Sequence, residues 1–425
     1  MKVFIKRETN YYNIIRYVLK LIELNTNQQF HFVDVIKNEG EIIWDHEHQD
    51  SEIISMEFYD ALTRNNLEEH RKYFHENLSI CTENKQKDVI ATIFYMTNCL
   101  QEHNVSKESL DAYGRFKYLS SYQAKFGNGD QNLVQHEIDH ACVKWKIPVS
   151  QKKSRFFISH DIDTIYGSLL QDGYWALKKM KIGVILNLIA WEFSKRPHWK
   201  NIDRIIKIDS EHDIQSTFFW LVNKNNGFKN IKNADYDIKT EHGLLDMVNQ
   251  ANFFNGLHKS VSDMSINEEI KKGCFNTTYN RYHFLKFLPQ NDWISISNST
   301  VNFDCSLGFA EHCGFRNSYG KAFQPFDFRN NKPFDFIEAP LHFMDTTFHK
   351  YMNVPRNQVA RSIIRFYEKN PTNCDFSILW HNNYFSNYKY HSFLEEYKKM
   401  IGYIYENKIE CVSPGDLIKE NKISW

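Results

Sequence analysis

The sequence predicts an α/β protein: a parallel sheet or barrel with helices outside it, preceded by a smaller N-terminal α/β segment. Three observations carry this. From Arg155 onward, strand-like runs at 155–162, 216–222, 252–258, 301–305, 335–341, 374–381 and 409–413 alternate with helical runs. The helical runs are 170–194, 201–212, 240–250, 265–273, 355–370 and 391–407. Repeated alternation of this kind implies parallel strands with crossover helices. Second, Asp161, Asp163, His258, Asp304 and His381 fall at the C-terminal ends of candidate strands, where such folds place their sites. Third, the 425 residues include 33 Phe and 23 Tyr against 16 Gly and 9 Pro. That composition supports a sizeable core and argues against long disordered linkers.

Residues 1–150 read as a separate α/β domain of unknown role, and 151–425 as the barrel, with a polar linker at 151–154. Ile15, Val18, Leu19 and Ile22 stand at helical spacing within 12–24, and 30–36 and 41–44 suggest short strands. Residues 88–100 are again apolar at helical spacing, and 104–106 start another segment. In the phrase 111–116, Arg115 either reaches toward the second domain or sits solvated in a turn. The run 182–193 follows Lys178-Lys179-Met180-Lys181 and precedes Lys195-Arg196. It reads as a buried packing or dimer helix, or as a lid or docking helix at 178–200 that rests on an anionic membrane face. It is too short to span a bilayer. In 391–407, Phe393, Leu394, Tyr397, Ile401, Ile404 and Tyr405 mark one apolar face.

Acidic and basic residues balance at 52 each, so no bulk attraction to nucleic acid is implied. The eight cysteines are scattered without a C-x-x-C pair, which suits free thiols in a reducing compartment. Met1 to Lys6 lack an apolar signal region. The expected location is the cytoplasm. The oligomeric state is not legible.

The chemistry centres on Arg155-Phe156-Phe157-Ile158-Ser159-His160-Asp161-Ile162-Asp163. Acids two positions apart on a strand project to one side. Like charges that close need a metal, a shared proton or a cationic partner; the plainer alternative is an acidic turn with Asp163 as a cap. His258 follows Gly256 by two residues, and the glycine permits close approach of a ligand to the backbone. Asp163 with His258 would form a mixed O/N site suited to zinc or another divalent first-row metal. In Asn280-Arg281-Tyr282-His283, Arg281 is a natural partner for an ionised carboxylate, or else a surface loop residue. In Leu379-Trp380-His381, Trp380 offers a sugar-stacking face and His381 a proton near neutral pH; the alternative is a core Trp beside a hydrogen-bonded His.

The order D-x-D, H-x-x-x-S, R-x-H-F, L-W-H resembles the polysaccharide deacetylases of carbohydrate esterase family 4, in the bacterial branch with an extra N-terminal domain. The resemblance covers roughly 155–425. It implies a distorted (β/α)7 barrel and metal-dependent removal of N-acetyl groups from a sugar of a surface polysaccharide or its precursor. By the resemblance Asp161 is the catalytic base, with Ile162 standing between it and the metal ligand Asp163. His258 is the first metal histidine, Arg281 orients the base, His381 is the general acid, and Asp304 matches the fourth motif. The implied cofactor is a divalent metal ion, with zinc expected, and the implied partner is a glycan. One departure stands out: Ser262 occupies the place of the second metal histidine. His283, at the Pro position of R-x-P-Y, is the expected replacement ligand. Arg316 is a candidate grip for an anionic substrate group, and Asp345 a candidate to orient His381. The alternatives are a non-catalytic carbohydrate-binding protein on the same barrel and hydrolysis of a non-sugar amide.

Overall fold

β1 (Lys2–Ile5), β2 (His31–Val33) and β3 (Ile42–Trp44) form a parallel sheet in the order β2-β1-β3. The helix Tyr12–Asn25 between β1 and β2 buries Ile14, Ile15, Val18, Leu19 and Ile22, the stripe its spacing predicts. A small hairpin, β4 (Ile80–Cys81) and β5 (Lys87–Asp88), leads into helix Val89–Thr97. Asp88 caps that helix by accepting the Ala91 N–H. Every residue of the helix after Val89 is buried, as expected for a helix apolar on all sides. The computed structural model describes residues 1–425 except 38–39, 65, 67–73, 75–77, 168, 195–197, 225–226 and 229–230.

The larger sheet holds β6 (Arg155–Ile162), β7 (Thr217–Trp220), β8 (Phe254–Lys259), β9 (Tyr279–Tyr282) and β10 (Phe303–Asp304). Beyond a separate hairpin of β11 (Phe326–Asp327) and β12 (Lys332–Pro333), it is completed by β13 (Ile337–Glu338), β14 (Leu341–Met344) and β15 (Asp375–Leu379). The strand order is β13-β10-β9-β8-β7-β6-β15-β14, and every pairing is parallel. All of β6 after Arg155 is buried, the mark of a central parallel strand covered on both faces.

β13 and β14 occupy opposite edges of this sheet, yet only Ala339 and Pro340 separate them in the chain. Three virtual bonds reach roughly 11 Å at most. The sheet must therefore curl until its edges face each other, which makes it a distorted barrel. The single strand expected at 335–341 is thus two strands on two edges. Pro340 cannot donate to a ladder and marks the break. The run 409–413 is not a full strand: Cys411 forms one isolated bridge to Phe156. The helix expected over 170–194 is a pair, Leu169–Lys178 and Ile182–Phe193, broken where Met180 takes φ 53°. β9 and the helices Pro289–Ser297 and Pro414–Asn421 were not anticipated.

Residues before 150 pack directly on the barrel. The Tyr17 hydroxyl donates to Gln324 O at 2.8 Å, Asn25 Nδ2 donates to the Tyr319 hydroxyl at 2.6 Å, and the Tyr17 and Phe326 rings meet edge to face. Among the described residues no helix is long and apolar enough to cross a membrane, and all eight cysteines are free.

Candidate active site

Asp161 sits at the end of β6, buried between two partners. Arg281, from β9, donates Nη1 to Asp161 Oδ1 at 2.9 Å, and His258 Nε2 lies 3.4 Å from Oδ2. The rest of the guanidinium is also committed, Nη2 to Ser159 Oγ and Nε to Cys305 O. Its carbon stands 4.6 Å from the centre of the Phe219 ring. Gly256 serves this arrangement: a Cβ there would fall 2.5 Å from the Phe219 ring. The close approach expected at Gly256 is therefore that of an aromatic ring beneath Arg281, and not that of a ligand. A buried carboxylate gripped by a guanidinium whose three nitrogens each have a partner holds one orientation.

Asp163, two residues on, meets two imidazoles. His258 Nε2 is 3.3 Å and His283 Nε2 3.7 Å from its Oδ1, and one donor atom from each of the three residues lies within 4.8 Å of the others. Asp163 Oδ1 is buried and makes no hydrogen bond among the described residues. His258 Nδ1 lies 2.9 Å from Arg281 O, which leaves Nε2 for Asp163. Burial lowers the pKa of this imidazole, but Asp161 and Asp163 raise it above the ordinary value, so a cation at Nε2 would take the place of a proton there. Burial holds His283 below the ordinary imidazole value, in the neutral form that ligates metals. Burial would raise the Asp163 carboxyl, but His283, His258 and His381 hold it well below the usual range.

This donor set fits a small divalent cation. A tetrahedral centre with bonds of about 2.0–2.1 Å has donor–donor edges of about 3.3 Å, near the 3.3 and 3.7 Å that separate Asp163 Oδ1 from the two imidazoles. Ser262, in the expected second-histidine position, is committed elsewhere. Its hydroxyl donates to Glu269 Oε1 at 2.6 Å, in a network with Lys259. The backbone just after His283 is strained: Phe284 and Leu285 take φ of 62° and 52°. Consecutive non-glycine residues in the left-handed region cost about 1–3 kcal/mol each and persist where surrounding structure over-determines them.

His381 closes the far side. Its Nδ1 lies 2.9 Å from Asp345 Oδ1, its backbone N–H donates to Asp345 Oδ2, and its Nε2 stands 3.6 Å from Asp163 Oδ2. Burial lowers its pKa, but the carboxylates of Asp345, Asp163 and Asp161 together push it up to about 9. Asp161, Asp163, His258, His283 and His381 line one cavity of about 180 Å³, together with Arg115, Tyr351 and Lys350. Arg115 is the contribution of the N-terminal segment. It pairs with Asp111 and donates Nη1 to Phe284 O at 3.0 Å, bracing the strained residue beside His283.

Three expected site residues lie elsewhere. Trp380 is completely buried against Tyr397 and Phe393 and presents no face to a sugar. Strand β15 buries both of its faces, so the side chain beside His381 enters the core. Arg316 is 1% exposed, spends four of its five N–H donors on Glu102, Gly308 O and Phe287 O, and does not line the cavity. Asp304 is buried outside the cavity, accepting from Asn280 Nδ2 and Ser306 N beside Glu338. It ties strands together and touches no reacting group.

No protein-family model and no curated protein sequence matches the chain. Solved structures similar to it include an allantoinase, 10% identical over 63% of this chain and 89% of that one, with a TM-score of 0.42. A polysaccharide deacetylase from Bacillus cereus is 10% identical over 62% of this chain and 93% of that one, with a TM-score of 0.31. A CE4 family pseudoenzyme from Bacillus anthracis is 12% identical over 64% and 68%, with a TM-score of 0.30. The likeness to these proteins is one of fold.

Proposed function

We propose that the chain is a metal-dependent hydrolase that removes N-acetyl groups from a sugar of a surface polysaccharide or its precursor. One observation carries the reading: an O/N/N donor cluster lies between an arginine-locked carboxylate and a carboxylate-backed imidazole, on one cavity. Asp163, His258 and His283 would hold the cation, and the mixed O/N donor set suits zinc. When bound, a divalent cation supplies Lewis acidity to an amide carbonyl and to water.

The protein's own groups divide the proton work. Asp161, oriented by Arg281, accepts a proton from the attacking water. His381 gives its Nδ1 proton to Asp345 as a hydrogen bond and so directs Nε2–H into the cavity. That proton goes to the leaving nitrogen as the C–N bond breaks, and the products are acetate and a free amine. Both groups line the same cavity as the donor cluster, so base and acid can act on one bound amide.

The test is acetate release from N-acetylated oligosaccharides by the zinc-loaded protein. Asp161→Asn should lower turnover by at least about 10²-fold, the lower range for loss of a general base, with metal content unchanged. A parent protein that takes up no metal and releases no acetate would instead support the non-catalytic carbohydrate-binding reading. Equal turnover in parent and variant would remove Asp161 from the base role.

A further inference from the structure

The helical pair Leu169–Lys178 and Ile182–Phe193 is apolar and turned outward. Leu170 is 87% exposed, Leu177 67%, Met180 85%, Ile182 69%, Leu186 62% and Phe193 88%. Only Asp172, Ala176 and Leu188 are buried. A contiguous patch of this kind on a globular protein marks an interaction surface. The reading of 182–193 as a buried packing helix does not hold.

Lys178, Lys179 and Lys181 stand exposed at the bend between the helices. Among the described residues none of them is paired with a carboxylate, whereas the one acid buried in the hairpin, Asp172, is already bound by Lys389 and the Tyr388 hydroxyl. The following Lys195 and Arg196 lie outside the described residues. Exposed apolar side chains beside unpaired lysines match a membrane interface, where acyl chains take the former and anionic headgroups the latter.

We infer that this hairpin docks the protein, peripherally, onto an anionic bilayer surface. Neither helix is long enough to cross it. The hairpin is also fixed to the site. It follows β6 within a few residues of Asp163, and Asp172 anchors it to the loop that follows His381.

Flotation of the full chain with vesicles decides the matter. One set is phosphatidylcholine alone; the other carries about one third phosphatidylglycerol. The parent should float with the anionic vesicles at low salt. It should not float with the neutral ones, and it should detach as salt approaches about 1 M, where the Debye length is about 3 Å. Each lysine near an anionic surface is worth about fivefold, so the triple change Lys178→Glu, Lys179→Glu, Lys181→Glu should weaken binding at least about a hundredfold. Leu170→Ser with Phe193→Ser should weaken it as well. These positions are exposed, and circular dichroism checks that each variant is folded. The comparison of the two lipid compositions with the parent alone needs no variant. No flotation at low salt, or equal flotation of the lysine variant, overturns the inference. A parent dimer that Phe193→Ser dissociates would assign the patch to a second copy. Hydrolysis is not read in any arm, so the outcome is independent of the proposed activity.

Discussion

His283 stands at the donor cluster directly before two residues that hold φ of 62° and 52°, and Arg115 braces the Phe284 carbonyl between them. Strain held in place from outside costs stability and returns geometry. His283→Ala should therefore weaken zinc binding by more than the about 10- to 100-fold that loss of a supporting partner brings, while Ser262→Ala leaves it nearly unchanged. Titration calorimetry with zinc reads both, and unchanged affinity in His283→Ala would remove that residue from the ligand set. Asp161, Asp163, His258 and His381 were legible because each ends or follows an apolar run, and strand ends converge in this architecture; Arg281 and His283 stand in a polar run and were picked out by residue type and motif order. Trp380 and Arg316 were not legible, because residue type does not report burial. Arg115 was left open between two readings, because its contact with Phe284 spans 169 residues and no local pattern announces it.

Among the elements, the pairing of β10 with β13 carries an unusual charge arrangement. Asp304 and Glu338 stand directly opposite each other in register, both fully buried. Burial, with their mutual repulsion, raises Glu338 well above the ordinary carboxyl value, and burial pushes Asp304 up to about 6. The folded pair thus retains a proton that the unfolded chain releases above about pH 4.5. With more protons bound in the native state, stability falls as pH rises through that window, by up to about 1.4 kcal/mol per pH unit for one proton. Glu338→Gln keeps an acceptor for Trp293 Nε1 or Leu307 N and a donor toward Asp304, but cannot titrate. Its stability should fall less than that of the parent between about pH 4.5 and 7. Urea unfolding at several pH values checks this, and parallel curves for the two proteins would refute it. The long apolar strands were legible here because a strand buried on both faces reads as a continuous apolar run. The division of 335–341 between two edges was not, since it depends on how far the sheet curls. The bend at 179–181 was hidden because apolar periodicity continues on both sides of it.

For the whole molecule, one buried ion pair joins the first 150 residues to the barrel. Arg316 Nη2 lies 2.6 Å from Glu102 Oε2, and neither side chain is more than 1% exposed. Removing one partner of such a pair leaves an uncompensated buried charge. Arg316→Met should cost about 3–5 kcal/mol, and the addition of Glu102→Gln should recover part of it. Denaturant unfolding measures both, and a loss under about 1 kcal/mol would show that the pair does not hold the two segments together. The closure of the barrel has a further consequence for synthesis. β15 fits between β6 and β14, and its pairing Arg155 to Asp375 joins residues 220 positions apart. A nascent chain that has emerged only as far as residue 370 therefore carries a finished β6 with one open edge, and the acid-bearing half of the cavity waits for His381. Over that interval the unfilled slot is a template for any passing strand. A holdase that shields a single sheet edge is the kind of helper this chain would need while it is being made.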